Sequence, residues 1–206
     1  MVVDRVDKAV NGAGKQRLDY DLIIDLVTEE SRVLDLGCST GDLLKLLIKQ
    51  KKVTGFGVEI EEEKVYSCIA KGLSVHHGDI DDGLADYPDH SFDYVILSLT
   101  LQAVKKPKFV IEEMLRVGGK AIVSFPNFAY LPIRWQLAAL GRMPMTTDIP
   151  YEWYETPNIH LTTIKDFSRF CGENSIKMSD VFYLGSKGQI RFAPNVFAKS
   201  ALFVLG

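Results

Sequence analysis

The sequence predicts an α/β domain, Rossmann-like in layout, with a mostly parallel seven-stranded sheet that closes on a C-terminal antiparallel hairpin. Three observations carry that expectation. Short apolar runs alternate with segments of helical periodicity over most of the chain. The run Val33-Leu34-Asp35-Leu36 turns through Gly37 and Gly41 straight into a helical pattern, and a second apolar run ends in Glu59. Near the C-terminus the rhythm changes to two neighbouring strand-like runs joined by a loop that holds Gly185 and Gly188.

Taken in order, Leu18 to Val27 predicts a helix with Leu18, Leu22, Ile23 and Leu26 on its apolar face. The strand ending in Leu36 follows, then a helix that begins Asp42-Leu43-Leu44-Lys45-Leu46-Leu47. Val53 to Glu59 predicts the second strand, and Glu61 to Gly72 a helix stopped by Gly72, with Val65, Cys68 and Ile69 inward. Leu73 to His76 is a short third strand. Phe92 to Ser98 is nearly continuous in apolar residues, as a strand buried on both faces requires. A helix over Phe109 to Val117 and a fifth strand over Lys120 to Phe125 continue the alternation, which implies right-handed parallel crossovers. Thr162 or Thr163 caps a late helix running to Glu173, and strands over Ile176 to Leu184 and Asn195 to Leu205 end the chain.

The loop after the first strand has the form D-x-G-x-x-x-G rather than the G-x-G-x-x-G of dinucleotide folds. Glycine serves where a turn needs unusual dihedrals or a ligand comes close. Asp35, two residues before Gly37, would repel a pyrophosphate but can pair with the ammonium of a bound amino-acid moiety. Glu59 stands where an acid accepts from both ribose hydroxyls. The expected ligand is therefore S-adenosylmethionine, or its product S-adenosylhomocysteine, and the expected fold is that of class I methyltransferases. The residues expected around it are Asp35, Gly37, Cys38, Ser39, Gly41, Glu59, Ile60, Asp79, Ile80 and Ser98. Ser39 occupies the loop centre, where glycine is more usual. A plain strand-loop-helix turn with incidental glycines is the bland alternative.

Asp79 follows the third strand, where it can accept from an adenine amino group while Ile80 covers the ring. With Asp81, Asp82 and Asp86 nearby, a solvated acidic turn is the other reading. Ser98, with Leu99, Thr100 and Gln102, ends the fourth strand on the side expected for the methyl group, and a structural turn competes with that role.

Composition narrows the class. A chain of 206 residues, 47% hydrophobic, is long enough for one core and reads as a single domain. A net charge of −3 offers no general attraction for nucleic acid or an anionic membrane. Cys38, Cys68 and Cys171 are widely spaced, so neither a metal site nor a disulfide framework is expected. Met1 to Gly14 lacks a secretory apolar core and no run is long enough to span a bilayer, so a cytoplasmic location is expected.

Residues 126–160 interrupt the alternation. They hold Trp135, Trp153, Phe128, Tyr130, Tyr151 and Tyr154 with five of the eight prolines, too aromatic for a linker. A substrate lid, a partner surface and a covering flap are all open readings. Arg134 and Arg142 could receive an anion or be solvated. His160 is the candidate general base by its ordinary pKa, although a lone histidine before a helix is commonly structural.

The strings Gln102-Ala103-Val104, Glu113-Met114-Leu115-Arg116-Val117-Gly118, Ser124-Phe125-Pro126-Asn127-Phe128, Gly141-Arg142-Met143-Pro144 and Pro150-Tyr151-Glu152-Trp153-Tyr154-Glu155-Thr156-Pro157-Asn158-Ile159-His160-Leu161 resemble the methionine-biosynthesis MetW family. The resemblance covers about residues 17 to 184, and Ser39 departs from the family's glycine-rich loop. It implies the class I methyltransferase fold, a place in methionine synthesis, and homoserine O-acetyltransferase as a partner in O-acetylhomoserine formation. Two functions follow: a regulatory or structural subunit that binds S-adenosylmethionine, or formerly did, and supports the acetyltransferase, or an active methyltransferase on a small acceptor. A nucleotide-sugar or NAD enzyme is a distant third, since it needs a pyrophosphate loop.

Overall fold

The computed structural model describes residues 17–146 and 149–206, so the reading of Met1 to Gly14 lies outside the described residues. The chain opens with α1 (Leu18–Leu26) and alternates through β1 (Arg32–Leu36), α2 (Asp42–Lys51), β2 (Thr54–Glu59), α3 (Glu62–Ala70) and β3 (Ser74–His77). It continues through β4 (Phe92–Ser98), α4 (Pro107–Val117), β5 (Gly118–Pro126) and α5 (Leu131–Leu140). The last elements are α6 (Ile164–Glu173), β6 (Met178–Leu184), the short α7 (Pro194–Phe197) and β7 (Ser200–Leu205).

The seven strands form one sheet in the order β3-β2-β1-β4-β5-β7-β6. β1 to β5 are mutually parallel; β7 runs antiparallel to both β5 and β6. Order therefore reverses at the β1/β4 boundary, the switch point where open α/β sheets bind ligands beyond the carboxyl ends of their strands. The residues Val33, Leu34, Leu36, Val95, Ile96 and Leu97 are fully buried, as expected for central strands covered on both faces.

Helices cover the sheet on two sides. Ile23, Ile24 and Val27 pack with Leu43 and Leu47 of α2 on one face, against Ile96, Ile122 and Leu202. Val110, Ile111 and Met114 of α4 and Phe167 of α6 pack on the other, against Val95, Val123 and Phe203. Fully burying a Leu, Ile or Phe side chain is worth ~1.5–3 kcal/mol, so these two layers fix where the strand ends lie. Among the described residues, no helix is long and apolar enough to cross a membrane.

Four sequence expectations change. Leu18 is 41% exposed because it sits at the first turn of α1, and Val27 takes its place in the core. Ile69 is exposed as well, since α3 covers only the sheet edge with Val65 and Cys68. Asp81 is buried rather than solvated: its carboxylate accepts from the Lys105 N–H at 3.0 Å and the Lys106 N–H at 2.7 Å. Finally, Asn195 to Leu205 is not one strand. Pro194 starts a helical turn, and β7 begins only at Ser200.

Candidate functional site

At the carboxyl ends of β1, β2 and β4 lies a cavity of about 730 Å³. Nine of the ten residues expected to hold a cofactor line it: Asp35, Gly37, Cys38, Ser39, Glu59, Ile60, Asp79, Ile80 and Ser98. The turn after β1 is held against β2, because the Gly37 and Cys38 N–H groups both donate to the Val58 carbonyl, at 2.8 and 3.1 Å. Gly37 sits at φ +66°, and a Cβ there would come within 2.7 Å of the Thr100 side chain. Glycine is therefore required both by the dihedral and by the neighbour.

Glu59 is the tie that shapes this loop. It is 5% exposed, and its carboxylate accepts from the Ser39 N–H at 2.7 Å and from the Ile60 and Glu61 N–H groups at 2.9 Å. A carboxylate has about four acceptor sites, so one remains for a ligand donor. Ser39 itself adopts φ +51°, a left-handed conformation that favours glycine.

Asp35 stands in contrast. It is 3% exposed, and no described residue donates a hydrogen bond to its side chain. Burial pushes its carboxyl up to about 7, the positive charge of Arg17 pulls it back, and the negative charge of Glu59 adds to the rise. A buried carboxylate facing a cavity with no donor of its own calls for a cation from outside. The neighbouring Cys38 thiol is pushed up by burial, with Asp35 and Cys68 adding to it, so it is a neutral wall and not a nucleophile.

Around Ser98 lies a network that sequence reasoning missed. Ser98 Oγ donates to Asp19 Oδ2 at 3.0 Å and accepts from Arg17 Nη2 at 3.2 Å. Arg17 holds Asp19 through a forked ion pair and reaches the Tyr20 hydroxyl at 3.2 Å. Burial raises the Tyr20 hydroxyl, which stays protonated. The three residues enter the site because the N-terminal end of α1 is laid across the end of β4. Nothing local in Arg17-Leu18-Asp19-Tyr20 signals a contact with a serine 81 positions further on.

Asp79 is partly committed. One oxygen accepts from the Asp81 N–H at 2.9 Å and the other lies 3.6 Å from Lys105 Nζ. Ile60 and Ile80 flank the cavity on either side of this turn.

Two expected residues lie elsewhere. Gly41 does not line the cavity; it starts α2 at φ +75°, and a Cβ there would meet Leu73 Cδ1 at 2.3 Å and Cys68 Sγ at 2.9 Å. Its absence of a side chain lets α2 close on α3. His160 is behind the cavity wall, in a pocket of about 10 Å³ with Gln102, Pro126 and Asn158. Its backbone N–H donates to the Gln102 carbonyl at 3.0 Å, while its Nε2 is buried without a hydrogen-bond partner among the described residues.

The insertion contributes one side to the cavity and another to solvent. Pro150, Tyr151, Pro157 and Asn158 line the cavity, whereas Trp153 and Tyr154 point outward in edge contact at 5.6 Å. Arg134 donates to the carbonyls of Ala129 and Asn195 and does not line the cavity, and Arg142 is exposed. No group of three or more His, Cys, Asp or Glu among the described residues is placed to hold a metal ion.

Comparison with known proteins adds a lineage. A family model described as methionine biosynthesis protein MetW matches residues 17–205. The chain is 36% identical over 182 residues to a protein of Rhodopirellula baltica described as bifunctional methionine biosynthesis protein MetXA/MetW. That match covers 84% of this chain but 29% of the relative, so the chain spans less than a third of that protein. It is also 26% identical over 168 residues to a demethylmenaquinone methyltransferase of Staphylococcus aureus, covering 71% of this chain and 68% of the other. Among solved structures, an S-adenosylmethionine-dependent methyltransferase of Mesorhizobium loti superimposes with a TM-score of 0.68 at 15% identity, covering 92% of this chain and 97% of the other. Another, from Aquifex aeolicus, gives 0.65 at 15% identity over 98% and 96%. These two likenesses establish the fold.

Proposed function

We propose, from the premise that this chain belongs to the MetW family of methionine biosynthesis proteins, that it binds S-adenosylmethionine or S-adenosylhomocysteine in the β1/β4 cavity and acts in the cytoplasm with homoserine O-acetyltransferase in O-acetylhomoserine formation. The observation that carries the cofactor reading is Asp35: a buried carboxylate on the cavity wall with no donor among the described residues, beside a glycine turn. The residues fit the group. Asp35 takes the ammonium, Glu59 keeps its remaining lone pair for a ribose hydroxyl, and Asp79 accepts from the adenine amino group through the oxygen nearer Lys105. Ile60 and Ile80 cover the base, and Gly37, Cys38 and Ser39 let the backbone approach. Ser98 stands toward the sulfonium end, where the bound cofactor would supply an electrophilic methyl. Gly41 serves the turn from behind by positioning α2.

The partner reading rests on the fused relative, whose name joins MetXA and MetW in one chain. A second reading, an active methyltransferase, is favoured by one observation. The cavity extends past Ser98 to Tyr20, Tyr151 and Asn158, which leaves space for an acceptor whose alignment with a methyl group is most of what catalysis needs.

Titration calorimetry of the purified chain with S-adenosylmethionine, S-adenosylhomocysteine and NAD tests the cofactor reading; heat with NAD and none with the other two overturns it. Homoserine O-acetyltransferase, assayed with and without this chain, tests the partner reading. A rate and a sedimentation profile that are both indifferent to this chain return weight to the methyltransferase.

A further inference from the structure

Ten of the eighteen large apolar side chains exposed among the described residues lie in residues 131–161. The centre of this patch is α5, whose sequence is Leu-Pro-Ile-Arg-Trp-Gln-Leu-Ala-Ala-Leu. A helix apolar on all sides is ordinarily covered on all sides, yet here only Ile133 is buried. Trp135 is 71% exposed and Leu140 67%. The one charged residue of the helix, Arg134, is exposed, and its guanidinium is turned onto the carbonyls of Ala129 and Asn195.

Two segments extend the face. The Gln136 amide exchanges hydrogen bonds with the Met145 backbone, at 3.2 and 3.4 Å, which brings Met145 beside the helix. The bond from Arg134 to Asn195 ties in α7 and the segment just before it, where the exposed rings of Phe197 and Phe192 stack at 6.1 Å. Aromatic residues bury ~150–250 Å² each, so Trp135 and Phe192 with Leu131, Leu140, Met145 and Phe197 offer on the order of 600–800 Å² of apolar surface. That approaches the ~800 Å² per partner of a standard interface.

We propose that this face, centred on Leu131 and Trp135, one turn apart on α5, docks the acetyltransferase chain; this rests on the partner reading given above. The fused relative argues for that occupant. There the MetW-like part is 29% of a chain that also carries a MetXA part. A tether of that kind holds a neighbour at effective concentrations of the order of millimolar, so a face turned toward it needs no charged cover. A bilayer suits the face less well, because helices that lie on membranes carry Lys and Arg along the polar side, and α5 offers only the engaged Arg134.

The test uses this full chain and homoserine O-acetyltransferase encoded in the same genome. Light scattering after gel filtration and surface plasmon resonance are run on wild type, on the Leu131→Asp/Trp135→Asp double variant, and on Ile69→Asp as a control on the exposed side of α3. The expected result is a hetero-complex for wild type and the control, and at least a hundredfold loss of affinity for the double variant. S-adenosylhomocysteine binding by calorimetry should stay within twofold in all three, which shows that the double variant is folded. Undiminished acetyltransferase binding by the double variant overturns the docking face and leaves the partner reading standing. No binding by wild type overturns both. A homodimer, or co-sedimentation of wild type with phosphatidylglycerol vesicles, that the double variant abolishes while the acetyltransferase still binds assigns the face to another occupant and overturns the proposal.

Discussion

Asp35 makes a ligand-charge prediction that can be worked through in numbers. Burial holds its carboxyl at about 7 against an ordinary 3.8. The sign follows from linkage. A folded-state pKa above the unfolded one means that the native state binds more protons, so stability falls as pH rises from about 4 to about 7. At one pKa unit per ~1.36 kcal/mol, the full penalty approaches about 4 kcal/mol above pH 7. Replacing the group with the neutral isostere, Asp35→Asn, is therefore expected to stabilise the ligand-free protein by a few kcal/mol at pH 8 and hardly at all at pH 4. Binding runs the other way. An ammonium needs the ionised form, so the apparent dissociation constant scales with one plus the ratio of protonated to ionised carboxyl. That ratio is about 1 at pH 7 and about 10 at pH 6, which weakens S-adenosylhomocysteine binding about fivefold over that unit and releases nearly one proton per ligand at pH 6. Calorimetry in two buffers of different ionisation enthalpy reads both quantities, and thermal denaturation across pH 4–8 reads the stability. In Asp35→Asn, affinity at pH 7.5 should fall by ~10- to 100-fold, as loss of a charge-assisted hydrogen bond implies, and proton release should vanish. A flat affinity from pH 6 to 7.5 with no proton exchange would falsify the pairing of Asp35 with a cation.

Three further substitutions separate the loop from the ligand. Glu59→Ala strips the acceptor from three backbone N–H groups and from a ligand hydroxyl, so both melting temperature and cofactor affinity should drop, the affinity by ~1–3 kcal/mol; a variant that loses neither contradicts the role given to this carboxylate. Gly41→Ala forces a Cβ against buried Leu73 and Cys68 at a left-handed position, and ~1–3 kcal/mol of stability should be lost in urea denaturation while cofactor affinity changes little, because the residue is off the cavity wall. Ser39→Gly removes a left-handed strain of ~1–2 kcal/mol at the cost of ~0.5–1 kcal/mol in chain entropy, so the melting temperature should rise slightly; a fall would show that the serine hydroxyl does something beyond filling the turn.

The strand that carries Asp35 and the strand that carries Glu59 were both readable, and for the same reason. Central parallel strands are apolar on both faces, and a carboxylate at the end of such a run stands out. The glycine positions could be read too, although their jobs differ: both sit at positive φ, but Gly37 is also fixed by Thr100 on the cavity side and Gly41 by the packing of Leu73 and Cys68 on the side away from the cavity. Sequence spacing cannot tell those two cases apart, because both glycines bracket the same turn. Asp81 was unreadable for a different reason. Its two hydrogen-bond partners, the N–H groups of Lys105 and Lys106, belong to a segment far along the chain, and an acid among acids reads as solvated until that segment is in place. Pro194 could have been read as the start of a helical turn, and the apolar character of Val196, Phe197 and Ala198 hid it inside the strand pattern.

Two breaks in the local rules fall on the wall of the cavity. A native sequence is expected to satisfy its propensities and polar groups nearly everywhere and to violate them where a site demands it. Among the described residues, seven non-glycines adopt positive φ, and Ser39 and Leu99 are the two that line the cavity, at the turns leaving β1 and β4. Leu99 is the more costly, since a branched aliphatic side chain gains no local hydrogen bond from that conformation. It is held by its N–H, which donates to the Ser124 carbonyl at 3.0 Å and to the Ser124 hydroxyl at 3.1 Å. Ser39 is held in the same manner, by its N–H on Glu59. Both strained turns thus sit at the two strands where the sheet order reverses, each pinned by a polar group of the neighbouring strand, β2 for Ser39 and β5 for Leu99. Asp35, without a hydrogen-bond donor among the described residues, lies between them on β1. Strain of this kind persists only where the surroundings over-determine it, and here the surroundings are the walls of one cavity. That convergence favours the proposed ligand site over a strand-loop-helix turn with incidental glycines, because an ordinary turn has no reason to keep a buried carboxylate, without a donor among the described residues, between two strained residues.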